Sequence, residues 1–176
     1  MPTKLKLRYY GDPVLRKVAR PVKEVGAAER FLIKEMIRAM YEFDGSGLAA
    51  VQIGIEEQIF VADIGEGPFA VVNPEILKKS VTESVVEEGC LSLPGIRVNV
   101  RRPEAIVVRY RNEFGQLIER EFSALFARVF QHETDHLLGR MLIDYASKAE
   151  KEKYQDQLAA LEALSRKPVS RGKAHV

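Results

Sequence analysis

The sequence predicts an α+β fold in one domain that spans residues 1–176. A helical pattern near the N-terminus is followed by several short β-prone runs and then by further helical patterns. This order is typical of α+β proteins rather than of a doubly wound parallel sheet. The length of 176 residues and the hydrophobic content of 46% suit a single domain with a buried core.

The N-terminal part predicts little regular structure before the first helix. Turn signals occur at residues 12–16 (DPVLR) and 20–22 (RPV), so we expect this region to be extended. The first helix is expected to begin near Ala28 and to end at residues 44–47 (DGSG), where glycine allows backbone angles that other residues avoid. Its apolar stripe has helical spacing and consists of Ile33, Met36, Ile37, Met40 and Tyr41.

Six β-prone runs fill the middle of the chain. The predicted strands are residues 59–64, 69–72, 81–86, 96–100, 105–110 and 117–122. Residues 112–115 (NEFG) predict a hairpin turn between the last two strands.

The C-terminal part predicts two more helices. The first covers about residues 124–138, with Ser123 as its N-cap and Gly139 as its stop. A short extended piece at residues 141–144 separates it from a charged surface helix at about residues 147–164. Residues 166–176 are basic and contain proline and glycine, which predicts a mobile tail.

Composition excludes several classes of protein. The net charge is only +2 with 30% charged residues, so the balance gives no general tendency to bind nucleic acid. The single cysteine, Cys90, makes an internal disulfide framework impossible and favours a reducing compartment. We expect neither a signal peptide nor a membrane span, since no apolar run approaches the roughly 20 residues that a span needs.

The predicted second helix contains the pattern H-E-x-x-H. Positions i and i+4 share a helix face with β-carbons about 6 Å apart, so His132 and His136 could bind one metal ion. Glu133 lies between them and could move a proton of a water molecule at that metal. The same stripe includes Leu125 and Val129, which would make the site partly dry. Two incidental histidines on an amphipathic helix are the alternative.

Two histidines leave a metal site incomplete, because a hydrolytic site usually has three protein ligands. Cys90 lies in residues 87–94 (EEGCLSLP), after a predicted strand, and a thiolate is a strong ligand for zinc or ferrous iron. From the residues alone, Cys90 could equally be a buried apolar side chain. It could also be a nucleophile with a histidine as its base, and an acidic residue could supply the third ligand instead.

A loop with two glycines, residues 45–52 (GSGLAAVQ), follows the first helix. Gly45 and Gly47 would let the backbone approach a ligand closely. Gln52 offers a neutral amide donor that suits a developing oxyanion. Taken alone, the loop is more typical of a helix C-cap followed by a packed turn.

Together these three segments resemble the peptide deformylase family, whose hallmarks are a G-x-G-L-A-A-x-Q loop, an E-G-C-L-S segment and an H-E-x-D-H helix. All three occur here in the family's order, at residues 45–52, 88–92 and 132–136. Ser46 departs from the family, which often has an apolar residue there, and this affects the substrate cleft rather than the metal. The resemblance implies mixed, mainly antiparallel β-sheets around a central metal-binding helix, plus an N-terminal helix and a C-terminal helix. The chain lacks long insertions and is similar to the shorter bacterial form.

The resemblance implies that Cys90, His132 and His136 bind one divalent metal ion and that Glu133 is the general base and acid. Donor chemistry alone favours zinc for a site of one sulfur and two nitrogens. The resemblance instead implies ferrous iron, with zinc, nickel or cobalt able to replace it. The implied reaction is hydrolysis of the N-formyl group from the first methionine of new polypeptides, with release of formate. We expect the enzyme in a bacterial cytoplasm, because its N-terminus is not transit-like.

Further roles follow from the same resemblance. Gln52 and the backbone N–H of Leu91 would donate hydrogen bonds to the oxyanion. Glu88 and Arg102 would form a pair beside the metal site. Arg97 would contact the peptide beyond its first residue.

A pocket for the methionine side chain is predicted between Val86 on a strand and Leu125 and Val129 on the histidine helix. The peptide backbone could add as a strand to a sheet edge at the loop that holds Gly45 and Gly47. These residues are therefore the predicted contacts of a formylmethionyl nascent peptide.

Two other functions are compatible with the sequence. A zinc endopeptidase would use the same H-E-x-x-H chemistry with a different third ligand and would cleave internal peptide bonds. A structural metal site would need four protein ligands, and the remaining histidine, His175, lies in the predicted tail. The C-terminal helix or the tail could contact the ribosome, and a solvated surface is the alternative. No membrane partner and no direct readout of nucleic acid are expected.

Overall fold

The computed structural model describes residues 5–166. The predicted tail at residues 166–176 therefore lies outside the described residues, apart from Arg166. The α-helices are α1 (Ala27–Glu42), α2 (Ala124–Leu137), α3 (Lys148–Lys153) and α4 (Gln155–Ser165). The strands are β1 (Gly47–Ala49), β2 (Ile59–Ala62), β3 (Phe69–Lys79), β4 (Glu83–Cys90), β5 (Leu93–Pro103), β6 (Ala105–Arg111) and β7 (Leu117–Ser123). Short 3₁₀ helices cover Pro13–Arg16, Ala50–Ile53 and Leu142–Tyr145.

Antiparallel pairing dominates the described sheets. Five strands form one sheet in the order β1-β2-β3-β6-β7, and β4 and β5 form a separate two-stranded ribbon. All pairs of adjacent strands in these sheets are antiparallel, and an isolated parallel bridge joins Arg20 to Glu57. The predicted α+β class and the predicted mainly antiparallel pairing are confirmed.

Helix α2 lies between the large sheet and the ribbon. One face buries Ala127, Phe130 and Leu137 in a cluster with the apolar side chains of the large sheet. The ring of Phe130 meets Phe60 edge to face, with centroids 5.1 Å apart, an arrangement that aromatic pairs favour. The opposite face is turned toward β4 and β5, to which it is joined by charged hydrogen bonds.

Two further clusters complete the core. Helix α1 covers the opposite face of the large sheet, where Ile33, Met36 and Met40 pack with buried residues of β1 to β3. Strand β5 alternates buried and exposed residues, and its buried face packs against the segment that follows α2. The alternation matches the two-residue period of a strand with one face in a core.

Asn73 fastens the extended N-terminal region to β3. Its backbone φ is 52°, a left-handed conformation that asparagine adopts more readily than most residues. The Asn73 side chain accepts a hydrogen bond from the Val22 N–H at 2.8 Å and donates one to the Val22 carbonyl at 2.7 Å. The register of β3 shifts between Val72 and Glu75, and Asn73 lies within this irregular stretch. Its side chain therefore joins the irregular part of β3 to the N-terminal segment.

Several predicted boundaries need correction. The predicted extended region at residues 12–16 contains a 3₁₀ turn, because Asp12 caps it and Pro13 fixes its first dihedral angle. The predicted strands are present, but β3, β4 and β5 extend further than predicted, and β1 was missed because it has only three residues. Tyr41, predicted on the buried stripe of α1, is 51% exposed near the end of that helix.

The C-terminal segment differs most from prediction. The piece predicted as extended at residues 141–144 is a 3₁₀ turn, since the Asp144 carboxylate accepts a hydrogen bond from the Met141 N–H at 2.9 Å. The predicted final helix is two helices, because Tyr154 departs from helical backbone angles between them. Tyr154 is buried, and its hydroxyl accepts a hydrogen bond from the Arg97 N–H at 3.3 Å.

The caps and the turn were predicted correctly. Ser123 occupies the N-cap position of α2, although its side chain makes no capping hydrogen bond. Gly139 has a φ of 73° just after the helix, and residues 112–115 turn between β6 and β7. Within residues 5–166, none of the helices has the length and apolar character that crossing a membrane requires.

We expect Phe130→Ala to lower the free energy of unfolding by about 3–5 kcal/mol, because it leaves a cavity where the ring meets other aromatic side chains. Phe114→Ala is the matched control, since Phe114 is 68% exposed at a hairpin turn and should change stability by less than about 0.5 kcal/mol. Urea unfolding followed by circular dichroism measures both. Equal effects would contradict the placement of α2 on the large sheet.

Candidate metal centre

Helix α2 and the end of β4 bring three metal-ligating side chains together. His132 and His136 come from one face of α2, and Cys90 comes from the last position of β4, where the pairing with β5 shifts register. The ligating atoms of these residues all lie within 4.8 Å of one another. Cys90 Sγ lies 3.3 Å from His136 Nε2. One sulfur and two nitrogens at this spacing fit a single divalent metal ion of the zinc or ferrous type.

Glu88 fixes the orientation of the His132 ring. Burial raises the pKa of Glu88, but hydrogen bonds from His132 and Arg102 outweigh it and lower the pKa to about 2. An ionised carboxylate only accepts hydrogen bonds, so His132 Nδ1 must donate in its 3.0 Å contact with Glu88 Oε2. In the neutral ring the lone pair is then on Nε2, and such carboxylate–histidine pairs are typical of metal ligands.

The two imidazoles differ in their electrostatic environment. Burial lowers the pKa of His136 well below its ordinary value, which keeps the ring neutral and leaves a lone pair for a metal. Burial also lowers the pKa of His132, but the neighbouring Cys90 and Glu88 side chains raise it more, so its pKa lies well above the ordinary value. His136 Nδ1 is buried and has no hydrogen-bond partner among residues 5–166.

Glu133 is a buried carboxylate at the wall of a cleft. It is only 4% exposed, and burial raises its pKa to about 7. Its Oε2 atom finds no hydrogen-bond partner in the described part of the chain. A β-carbon at Gly47 would overlap this carboxylate, so β1 can lie this close to Glu133 only with glycine there. The arrangement fits a carboxylate whose hydrogen-bond partner is a water molecule or a ligand.

The side-chain amide nitrogen of Gln52 faces the cluster that contains Cys90. Its side-chain oxygen accepts a hydrogen bond from the Ala49 N–H at 2.9 Å, which determines the orientation of the amide. The Nε2 atom therefore faces Ser92 Oγ at 3.2 Å and Cys90 Sγ at 3.6 Å. Gln52 and Ser92 are both buried, so this donor is held in place beside the candidate metal ligands.

A cleft of about 710 Å³ opens onto this site. Its walls include Gln52, Cys90, Leu91, His132 and Glu133, whereas His136 is buried behind them. The predicted substrate contacts also line it, namely Gly45, Gly47, Val86, Arg97, Leu125 and Val129.

The histidine face of α2, predicted to be apolar, is apolar only in part. Leu125 is 55% exposed and Val86 is 45% exposed, so both lie at the open part of the cleft. The apolar residues that α2 buries in the core, such as Phe130, are on a different face. The cleft face is therefore apolar at its mouth and charged at its base.

The sequence did not predict the full extent of the buried charge network. Arg102 donates to both oxygens of Glu88, at 2.7 and 3.0 Å, and to Asp135 at 2.7 Å. Tyr145 donates to the same Asp135 oxygen at 2.8 Å, and Arg102 lies over its ring. The Arg128 guanidinium also donates a hydrogen bond to Glu88, at 2.7 Å.

Two sequence signals could have indicated this network. Arg128 is a lone charge in the apolar run ALFARVF, four residues before His132 and so on the same helix face. Asp135 follows His132 by three residues, which also places it near that face. Tyr145 and Ser92 carried no such signal, because their partners lie on other elements.

Comparisons with known proteins match one family over most of the chain. The sequence profile of the family described as polypeptide deformylase matches residues 4–152. A peptide deformylase of Thermotoga neapolitana is 50% identical over 139 residues, which cover 79% of this chain and 85% of that protein.

Solved structures give the same result. The crystal structure of peptide deformylase from Thermotoga maritima is similar with a TM-score of 0.81 and 48% identity, covering 82% of this chain and 99% of that chain. A peptide deformylase from Synechococcus elongatus in complex with actinonin has a TM-score of 0.85 and 37% identity, covering 90% of this chain and 88% of that chain.

We expect Arg102→Met to lower the free energy of unfolding by about 3–5 kcal/mol, because it removes the partner of two buried carboxylates. Arg109→Met is the matched control, since Arg109 pairs with exposed Glu75 and Glu119 and should cost less than about 1 kcal/mol. Denaturant unfolding of both variants measures the difference. A loss of less than about 1 kcal/mol for Arg102→Met would contradict the buried network.

Proposed function

This chain belongs to the polypeptide deformylase family, and we propose that it removes the N-formyl group from the first methionine of new polypeptides by metal-dependent hydrolysis, releasing formate. The observation that carries this proposal is the cluster of Cys90, His132 and His136 beside the buried Glu133. The proposed metal ligands are the three residues of the cluster. We propose ferrous iron as the native metal, with zinc, nickel or cobalt as substitutes.

The proposed chemistry divides between the metal and Glu133. A divalent cation supplies a Lewis acid that lowers the pKa of a water molecule and polarises the formyl carbonyl. Glu133 takes a proton from the attacking water and later gives it to the leaving amine. Its buried position supports this role, and so does its Oε2 atom, which has no hydrogen-bond partner within residues 5–166.

Gln52 and the backbone N–H of Leu91 are the proposed donors to the developing oxyanion. The support for Gln52 is that its amide nitrogen faces the Cys90 sulfur and that Ala49 holds the opposite end of the amide. Leu91 directly follows the ligand Cys90 and lines the cleft. A fixed donor of this kind can contribute about 3 kcal/mol to transition-state stabilisation.

The proposed substrate contacts lie on both walls of the cleft. Val86, Leu125 and Val129 would surround the methionine side chain. The edge strand β1 and the residue that precedes it by two, Gly45, would offer backbone groups to an extended peptide. Arg97 is exposed on β5 and would contact the peptide beyond its first residue.

Three broader proposals accompany this function. Residues 1–176 would form one catalytic domain, which the match over residues 4–152 supports. Contact with the ribosome would involve α4 or the following tail, and α4 buries none of its described residues. A bacterial cytoplasm is the proposed location, supported by relatives from bacteria such as Thermotoga.

We expect rapid formate release from a short formylmethionyl peptide by protein loaded with ferrous iron or nickel under anaerobic conditions. Glu133→Gln should lower kcat by about 10²–10⁴-fold, because it removes the proton acceptor without changing the side-chain size. Formate is measured with a coupled dehydrogenase, and the metal content of both proteins is measured in parallel. Activity in the glutamine variant within tenfold of the unchanged chain would contradict the role of Glu133.

The same assay separates the two hydrolytic functions. An unformylated peptide of identical sequence should remain intact, since the proposed enzyme acts on the formyl amide. Cleavage of internal bonds by the metal-loaded chain, with no formate from formylated peptides, would favour an endopeptidase instead.

We expect Cys90→Ala to weaken metal binding by at least about tenfold, because it removes a side chain that would bind the metal directly. Even residues that only hydrogen-bond to a metal ligand contribute this much to affinity. Cobalt is a suitable probe, since a thiolate ligand gives a charge-transfer band in the near ultraviolet. Cys90 is the only cysteine of the chain, so the band should be absent from the variant. An unchanged cobalt content and an unchanged spectrum would show that another residue is the third ligand.

A further inference from the structure

Arg128 is a buried arginine that the proposed reaction does not use. It lies on α2 one turn before His132 and is 9% exposed. Its neighbours on the cleft side of the helix are Leu125 and Val129, and all three side chains line the cleft. A buried guanidinium at the wall of an apolar pocket is costly unless its donors are paired.

The Arg128 guanidinium is bonded to both strands of the ribbon. Nη2 donates to the Ser84 carbonyl and to Ser84 Oγ, each at 3.0 Å. Nη1 donates to the Val100 carbonyl at 3.0 Å and to Glu88 Oε1 at 2.7 Å. The Arg128 side chain on α2 is therefore hydrogen-bonded to two residues of β4 and to one residue of β5.

These contacts surround one wall of the proposed methionine pocket. Val86 lies between Ser84 and Glu88 on β4, so the arginine is bonded on both sides of the residue that forms this wall. The opposite wall, Leu125 and Val129, is on the helix that carries the arginine. The distance between the two walls is thus determined by a planar group with several donors in a fixed geometry.

We propose that Arg128 is a positioning residue that sets the width of the pocket for the first side chain and so determines the selectivity for an unbranched one. This inference rests on the proposed function, because it concerns the pocket that would receive the methionine. Charge compensation of Glu88 does not by itself require Arg128, since Arg102 already donates to both Glu88 oxygens. Of the two arginines on Glu88, Arg128 is the one whose side chain also bonds to Ser84 and Val100.

The test compares variants that separate charge from geometry. Arg128→Lys keeps the positive charge, but one ammonium group cannot bond Ser84, Val100 and Glu88 in the same way. Arg128→Met removes the charge and every hydrogen bond of the group. Arg101→Met is the matched control, because Arg101 is an exposed arginine on the same ribbon.

The substrates are formyl-X-Ala-Ser peptides in which X is methionine, norleucine or phenylalanine. We expect the ratio of kcat/KM for phenylalanine over methionine to rise about tenfold in Arg128→Met, the low end of discrimination by pocket shape. Arg128→Lys should raise it by a smaller factor, mainly through KM, and Arg101→Met should leave it within about twofold. A purely structural defect would lower the rates for all three peptides equally and would leave the ratio unchanged.

Calorimetric binding of the product peptides Met-Ala-Ser and Phe-Ala-Ser gives a readout that does not depend on turnover. The binding preference should shift in the same direction as the kinetic ratio. If Arg128→Met does not fold, Arg128→Lys and Ser84→Ala provide the test, because Ser84→Ala removes only one of the bonds.

Different results would overturn the inference and the proposed function. Ratios and binding preferences within twofold of the unchanged chain, in folded Arg128 variants, would overturn the inference. An unchanged chain that releases no formate from any peptide would overturn the proposed function, and the calorimetric comparison would then decide the role of Arg128 alone.

Discussion

The carboxylate of Glu88 joins the two parts of the molecule on which the site depends. It is buried, and it receives hydrogen bonds from Arg102 on β5 and from Arg128 and His132 on α2. Burying an ionised carboxylate is costly unless its oxygens are paired. Helix α2 and the ribbon must therefore meet in this arrangement, which also places Cys90, two residues after Glu88, beside the histidines.

The other face of α2 supplies the rigidity that such a site needs. Phe130 packs among the aromatic rings of the large sheet, so the helix is held on one side by apolar packing and on the other by charge pairs. Gly47 lets β1 approach Glu133 without a side chain between them. Side chains that are held this firmly need little rearrangement when charge develops beside them, which is how preorganised sites lower a barrier.

The same network links the metal site to the walls of the cleft. Arg128 and Arg102 share Glu88, and Arg128 also bonds the strand that carries Val86. The groups that orient the proposed metal ligand His132 are thus the groups that we propose to determine the shape of the pocket. Relatives with 37% and 48% identity have the same overall fold, whereas pocket width depends on such individual contacts.

The sequence by itself determined the elements whose signals are local. Residue spacing placed His132 and His136 on one helix face, and Gly139 and the turn at residues 112–115 marked where elements end. Local signals failed at residues 141–144 and at Tyr154, where hydrogen bonds to the Asp144 carboxylate and from the distant Arg97 decide the backbone.

The residues alone also left Cys90 open between a ligand, a core side chain and a nucleophile. Only the tertiary structure decided that its sulfur lies 3.3 Å from His136 Nε2. The same is true of the contacts of Arg128, because the packing of α2 against the ribbon, rather than any local spacing, determines which distant side chains meet.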